Sequence, residues 1–185
     1  MRIFEYGKIV EEAAKRIDPN ATSAQREALN FRHGHVHIHN LPIGVEWAKG
    51  DTRTGVDKDG KSWSRKMHAH YGRVKRTLGK DGDPVDVYIG DQPSSQIVFV
   101  ISQLDSEGNL DEHKCILGTT NLAEAKKLYL SHYPDGWENE RLGEIRMMVM
   151  PQFKKWLKSN APVKNKSSKK AFVFPELPPL TSFVE

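Results

Sequence analysis

Three aspartates, Asp81, Asp83 and Asp86, lie within six residues of one another, in a segment that also contains a glycine and a proline. Carboxylates this close repel one another unless cations lie between them. Their hard oxygen atoms favour Mg²⁺ or Mn²⁺ over zinc. An exposed charged turn is the alternative, because Asp-Gly-Asp alone is usually just that. A calcium loop is excluded, because the Asp-x-Asp-x-Asp-Gly spacing is absent.

A second set of charged residues flanks the turn after the most apolar predicted strand, 96–104. These are Asp105, Asp111, Glu112 and Lys114, and an antiparallel neighbouring strand could bring them beside the first cluster. Cations and hydroxyls that could meet phosphate oxygens occur nearby. They are Arg53, Arg65, Lys66, Lys75, Arg76, Tyr71 and Tyr133. Carboxylates for metal ions together with cations for oxygens are what phosphoryl transfer requires.

The elements that must position these groups are short. Period-two alternation from His33 to His39 predicts a strand, with the histidines on one face. Thr22 and Gln25 predict a capping box that opens a short helix. The pattern further predicts helices at 5–17, 121–132 and 151–158, strands at 96–104, 113–118 and 143–150, and a β-meander over 41–90. Many short strands with few helices predict a mainly β, α+β protein built on a barrel.

Length and composition indicate one soluble core, with a helical extension at 1–40, a barrel domain at 41–157 and a Lys/Pro-rich arm at 158–185. The net charge is +4. Five lysines and two glutamates give the arm +3, so the remainder carries only +1 and nucleic-acid binding is the weakest hypothesis. The sequence shows neither an apolar run long enough to span a membrane nor a signal-peptide pattern. A single cysteine, Cys115, favours a reducing, cytoplasmic setting and a buried thiol.

Two motifs together resemble the signature of the family I soluble inorganic pyrophosphatases. They are His-Tyr-Gly-Arg-Val at 70–74 and Thr-Leu-Gly-Lys-Asp-Gly-Asp-Pro-Val-Asp-Val at 77–87. A looser similarity runs from about Leu41 to Tyr133, and the wider pattern is closer to the pyrophosphatase-like domain of bacteriophage and prophage proteins. The resemblance implies a five-stranded, OB-like β-barrel and Mg²⁺-dependent attack of water on a phosphoanhydride, with pyrophosphate as the substrate.

The resemblance also implies roles for individual residues. Asp81 and Asp86 would hold the principal metal ions, and Asp83 would orient or deprotonate the attacking water. Asp105 and Glu112 would be further metal ligands. The residues that match substrate-binding positions are Glu46, Arg53, Arg65 (or Lys66), Tyr71, Lys114 and Tyr133.

The sequence departs from the family pattern on the phosphate-binding side. Gly55 stands where a glutamate is usual, and Pro134 stands where a lysine is expected after Tyr133. Glu112 replaces an aspartate, and His68-Ala-His70 replaces a Pro-x-Asn stretch. These changes predict a weaker grip on phosphate. The two terminal segments, 1–40 and 158–185, favour a second hypothesis: a virion-associated or accessory phage protein that assembles through these segments, as a homo-oligomer or with particle proteins.

The histidines leave alternatives open. His33, His35, His37 and His39 form either a metal-binding face or, more commonly, a polar exposed one. His68, His70 and His113 lie near the predicted site, where a proton-transfer role and a structural role are both possible. The four tryptophans have no regular spacing, which is typical of core or rim residues.

Overall fold

The computed structural model describes residues 3–57 and 59–159. The predicted arm therefore lies almost entirely outside the described residues. The helices are α1 (Ile3–Ala14), α2 (Ser23–Glu27), α3 (Leu122–Leu130), α4 (Trp137–Arg141) and α5 (Met150–Ser159). The strands are β1 (Gly34–Ile38), β2 (Leu41–Trp47), β3 (Thr52–Val56), β4 (Ser62–Lys66), β5 (His70–Val74), β6 (Asp86–Ile89), β7 (Ile97–Leu104), β8 (Leu110–Leu117) and β9 (Leu142–Val149).

Seven strands form one sheet in the order β1-β2-β5-β6-β8-β7-β9, and β3 and β4 form a separate hairpin. The α+β class is therefore confirmed, although this linear order does not show a closed barrel. Because β1 and β2 pair within one sheet, residues on both sides of position 40 share a structural unit. The proposed domain boundaries remain predictions.

The strand that carries Lys114 approaches the acidic segment differently from the sequence-based expectation. β8 forms an antiparallel pair with β7 and a parallel pair with β6. The expected antiparallel neighbour of the acidic segment is therefore wrong. The chain reverses direction between β7 and β8, so β8 runs in the same direction as β6. The parallel register places Lys114 directly beside Asp86.

The large sheet separates two apolar clusters, because successive side chains of a strand point to opposite faces. On β6, Val87 and Ile89 belong to one cluster and Tyr88 belongs to the other. Asp86 shares the face of Tyr88, where Tyr71 of β5 and Tyr129 of α3 belong to the same cluster. This tyrosine-rich face is the one that presents the predicted site.

Helix α1 packs on the opposite face and closes the first cluster. Its Val10 and Ala13 are buried, as the apolar spacing in 5–17 predicts. The helix lies so close to β1 that a Cβ at Gly34 would meet the Ala13 carbonyl oxygen at 2.1 Å. The short helix α2 begins with the predicted capping box between Thr22 and Gln25. Among the described residues, no helix is long and apolar enough to cross a membrane.

The β3–β4 hairpin lies over the tyrosine-rich face. Arg53 pairs with Arg65, and Gly55 pairs with Trp63, so these four residues share one side of the hairpin. They are half-buried, whereas the intervening threonines and serines on the other side are exposed. The hairpin therefore presents two arginines and one indole to the large sheet.

Candidate active site

Lys114 is the centre of a largely buried cluster of ionisable side chains. Its ammonium group forms ion pairs with Asp86 and, at 2.8 Å, with Oε2 of Glu112. It also donates a hydrogen bond to the Tyr71 hydroxyl at 3.2 Å. The Tyr71 hydroxyl in turn donates to Oδ2 of Asp86 at 2.5 Å. Four residues predicted from the sequence are thus joined in one network, which we call the lysine cluster: Tyr71, Asp86, Glu112 and Lys114.

Burial and opposite charge compete in setting the protonation of this cluster. Burial alone would raise the pKa of Asp86, but Lys114, Tyr71 and Arg53 hold that pKa below its ordinary value. For Glu112, burial outweighs the attraction of Lys114, so its pKa is raised. Burial acts to lower the pKa of Lys114, yet Asp86 and its neighbours raise it well above normal. The cluster therefore holds a fixed positive charge beside an ionised Asp86.

A second layer of hydrogen bonds fixes Glu112. Gln103 donates to Oε1 of Glu112 at 2.7 Å, and the Tyr129 hydroxyl donates to Gln103 at 2.9 Å. Trp137 completes the chain by donating its indole N–H to the Tyr129 hydroxyl at 2.9 Å. The sequence did not predict Gln103, Tyr129 or Trp137 to be part of the site. The only available signal was Gln103, a polar residue inside the most apolar strand.

The two arginines of the hairpin are held by aromatic rings. The Arg53 guanidinium lies 4.3 Å from the Tyr71 ring centroid, and Arg65 lies 4.6 Å from that of Tyr133. Arg65 also lies 4.1 Å from the ring of Trp63. Within residues 3–57 and 59–159, neither arginine has an acidic side chain within ion-pair distance. Stacking orients a guanidinium and leaves its N–H edge available for an oxyanion.

Trp63 fills the space that the absence of a side chain at Gly55 provides. A Cβ at Gly55 would lie 2.3 Å from Cζ2 of Trp63, which is far inside van der Waals contact. The indole therefore lies directly against the backbone of β3. The departure from the family pattern at position 55 thus replaces a potential acidic side chain with an aromatic surface.

Glu46 lies apart from the lysine cluster in a paired, buried position. Nε of Arg73 is 2.7 Å from Oε1 of Glu46, in an ion pair. Burial raises the pKa of Glu46 to about 7, although Arg73 acts to lower it. Glu46 and Arg53 line the same cavity, of about 700 Å³, beside the hairpin.

The acidic loop that precedes β6 is exposed. The carboxylate of Asp81 accepts a hydrogen bond from the backbone N–H of Asp83 at 3.1 Å, and Gly82 supplies the positive φ of +90° that the turn requires. Asp81 also contributes to the raised pKa of Glu112, so the loop borders the lysine cluster. The carboxylate of Asp105 lies in a different loop, after β7, where Oδ1 accepts hydrogen bonds at 2.9 Å from the backbone N–H groups of Glu107 and Asn109.

The donor chemistry suits a hard divalent cation. In the described part of the chain, no three acidic, histidine or cysteine side chains converge on one point. Mg²⁺ does not require such a cage, because it is usually held by one or two carboxylates, water and substrate phosphates. Asp81 and Asp83 are exposed carboxylates at the rim, and Asp86 and Glu112 lie just inside it.

The histidines occupy separate positions. His35 and His37 are exposed, and His39 bonds to the Ser95 carbonyl and to Gln96 at 3.0 and 2.8 Å. His70 contacts Glu11 at 3.0 Å on the side of α1. Cys115 is fully buried, as expected, and burial raises the pKa of its thiol.

The fold and the site together define a class: an α+β protein with a buried carboxylate–lysine–tyrosine cluster beneath two arginines that lack acidic partners in the described chain. The sequence matches the family model described as Inorganic Pyrophosphatase over residues 23–158. The chain therefore belongs to the inorganic pyrophosphatase family, and it is a pyrophosphatase-like hydrolase.

Solved structures with similarity to this chain are also inorganic pyrophosphatases. The protein from Coxiella burnetii is 19% identical, over 62% of this chain and 88% of its own, with a TM-score of 0.33. The proteins from Helicobacter pylori and Neisseria gonorrhoeae are 18% and 16% identical. Each covers 62% of this chain, with 86% and 84% of their own lengths and TM-scores of 0.36. No protein of curated function matches the sequence.

Proposed function

We propose that this protein hydrolyses inorganic pyrophosphate to two phosphate ions with the help of Mg²⁺, for which Mn²⁺ can substitute. One observation carries the proposal: Arg53 and Arg65 are oriented by aromatic stacking above the lysine cluster and lack acidic partners in the described chain. Preorganised cations of this kind are what a phosphoanhydride needs for binding and for stabilisation of its developing charge.

We assign each residue a role that follows from its chemistry. Arg53, Arg65 and Lys114 bind phosphate oxygens, and Tyr71 and Tyr133 hold the two guanidinium groups in place. Glu46 maintains the position of Arg73 at the edge of the cavity. The site would hold divalent metal ions at Asp81, Asp83, Asp86, Glu112 and Asp105. When bound, the metal ions would neutralise phosphate charge and make a water molecule more acidic.

Asp83 is the proposed catalytic residue. It is exposed at the rim, so its carboxylate is available to orient and deprotonate the attacking water. Water then adds to one phosphorus atom, the bridging P–O bond breaks, and the bridging oxygen leaves with its electron pair.

Phosphate release from pyrophosphate, measured with Mg²⁺ and with Mn²⁺, tests the proposal. We expect activity that falls by about 100-fold or more in Asp83→Asn and Asp86→Asn, in line with the loss of a group that acts in the transition state. Asp135→Asn is the matched control, because Asp135 is exposed and lies outside the site. If the unaltered protein releases no phosphate with either metal, the proposal is wrong.

A second candidate function is that of an accessory or virion component related to phage proteins. The observation that favours it is the edge strand β9, which exposes Met147 and Val149 at the border of the large sheet. An exposed apolar edge can pair with another chain. Light scattering would detect assembly, and Met147→Lys should abolish it; a monomer at all concentrations would argue against this role.

Under either function, we propose that the protein is located in the cytoplasm of a bacterial host cell.

A further inference from the structure

A cavity of about 700 Å³ opens beside the hairpin, next to Arg53. This volume lies within the range of sites that bind drug-sized ligands, and it is far larger than pyrophosphate needs. Its lining combines planar groups with cations and a single buried acid. The lining residues that supply these groups are Arg26, Glu46, Trp47, Arg53, Trp63 and Arg73.

One wall of the cavity is an indole that is held in place. The Arg26 guanidinium lies 4.0 Å from the ring centroid of Trp47. Arg26 is itself fixed, because it donates to the carbonyl oxygens of Glu46 at 3.1 Å and Asp18 at 3.3 Å. This arrangement keeps a flat aromatic–guanidinium surface at the cavity without an ordering cost upon binding.

The hairpin also lines the cavity. Trp63 lies against the backbone at Gly55, and the Arg53 guanidinium is 5.6 Å from its ring centroid. Arg53 therefore belongs both to the cavity and to the rim of the lysine cluster, through Tyr71. A ligand with a planar group in the cavity would place an attached phosphate chain beside Arg53.

We propose that the cavity binds the base of a nucleoside, so that the protein takes nucleoside polyphosphates as substrates in addition to pyrophosphate. This proposal rests on the proposed function, because hydrolysis uses the same lysine cluster. The base stacks on the indole and guanidinium surfaces, an interaction that every base can make through its π-face. For a nucleoside diphosphate, water attacks a phosphorus atom and the bridging oxygen leaves with its electron pair, giving a nucleoside monophosphate and phosphate.

Two variants and a matched control test the cavity. Trp47→Leu and Arg26→Ala remove the stacking surface but leave the lysine cluster and Arg53 unchanged. Arg32→Ala is the control, because Arg32 bonds to the Arg16 carbonyl at 3.1 Å outside this cavity. We expect the ratio of kcat/KM for ADP to that for pyrophosphate to fall about tenfold or more in both variants, and to stay constant in the control. Trp47→Phe should restore most of the ratio.

A binding experiment separates this proposal from the proposed function. Adenosine monophosphate, which contains no anhydride, should quench tryptophan fluorescence in the absence of metal ions, and Trp47→Leu should weaken its binding about tenfold. If pyrophosphate is hydrolysed while ADP is not and adenosine monophosphate does not bind, the cavity proposal is overturned and the proposed function stands. If adenosine monophosphate binds in a Trp47-dependent way but no phosphate is released from either substrate, the proposed hydrolysis fails and the base-binding cavity stands.

Discussion

At the scale of single residues, the site depends on Lys114. Its ammonium group separates two carboxylates that would otherwise face each other in a buried position. Replacement of one member of a buried ion pair leaves an uncompensated charge, which costs roughly 3–5 kcal/mol. The lysine cluster therefore links the stability of the fold to the proposed hydrolysis through one side chain.

We predict that Lys114→Met abolishes measurable pyrophosphate hydrolysis and lowers the free energy of unfolding by about 3–5 kcal/mol. Without the ammonium group, burial raises the pKa of Asp86, so the loss of stability should grow as the pH rises. Asp86→Asn in the same chain should recover stability without activity. Denaturant unfolding and phosphate release measure both effects, with Lys155→Met, at an exposed position, as the control. Unfolding curves that coincide for Lys114→Met and the control would contradict the prediction.

The raised pKa of Glu46 predicts that the protein becomes less stable as the pH rises. Its pKa rises from 4.5 to about 7 on folding, so the folded state binds its proton more tightly than the unfolded state does. The stabilisation of the fold by protonated Glu46 is complete below pH 4.5 and is lost as the pH rises through about 7. The unaltered protein should therefore lose up to roughly 3 kcal/mol over this interval relative to Glu46→Gln.

Urea unfolding at several pH values between 4 and 8 measures this difference directly. The comparison with Glu46→Gln cancels the contributions of other groups, including the raised pKa of Glu112. Stability curves that run parallel for the two proteins would show that Glu46 has an ordinary pKa.

The sequence predicted the lysine cluster well because its residues belong to compact motifs with distinctive spacing. Asp86 follows Asp81 and Asp83, and Glu112 precedes Lys114 by two positions. Trp63 and Trp47 were interpreted only as core or rim residues. Arg26 of α2 stacks on Trp47, and Arg53 of β3 lies over Trp63, so these contacts depend on a tertiary arrangement that a single sequence does not state.

At the scale of elements, the hairpin is positioned by the contact between Gly55 and Trp63. A methyl group at Gly55 would collide with the indole, which must then move and disturb the stacking of Arg65. Because the hairpin carries both arginines, a local steric change should act on phosphate binding.

We predict that Gly55→Ala raises KM for pyrophosphate several-fold and destabilises the protein by about 1–3 kcal/mol, the usual cost of overpacking. Trp63→Ala in the same chain should relieve the collision and restore stability, but it should not restore KM, because Arg65 loses its stacking partner. Gly7→Ala in α1 is the control, since its Cβ would meet nothing within 4 Å, and it should stabilise the protein by about 0.5–1 kcal/mol. An unchanged KM in Gly55→Ala would show that the hairpin does not position the arginines.

Local sequence patterns predicted most of the helices and strands, but they did not predict how all of the strands pair. The predicted strand at 96–104 and the turn predicted after it agree with β7 and the loop that follows. The predicted antiparallel direction of β8 relative to β6 was wrong, because the direction of β8 follows from the path of the chain through β7. α4 has five residues and no side-chain cap, so its short polar sequence carried little helix signal.

At the scale of the whole molecule, helix α1 contributes to the core. Val10, Ala13 and Ala14 of the helix, and Ile17 just after it, are all buried in the first apolar cluster. Full burial of a valine or isoleucine side chain is worth about 1.5–3 kcal/mol. The helix thus contributes several kcal/mol, a large share of the roughly 5–15 kcal/mol that stabilises a typical domain.

We predict that removal of residues 1–17 unfolds the protein or lowers its Tm by at least about 10 °C, because this segment covers one face of the sheet. Removal of residues 160–185 should leave Tm within a few degrees and should leave pyrophosphate hydrolysis unchanged, since every described element and site residue remains.

Single substitutions refine the comparison: Val10→Ala should be destabilising, whereas Glu12→Ala, at a position 52% exposed, should be nearly neutral. Thermal unfolding and light scattering of the shortened chains measure these effects. If loss of residues 160–185 changes the oligomeric state or abolishes activity, those residues take part in assembly or catalysis, and the second candidate function gains support over an independent hydrolase.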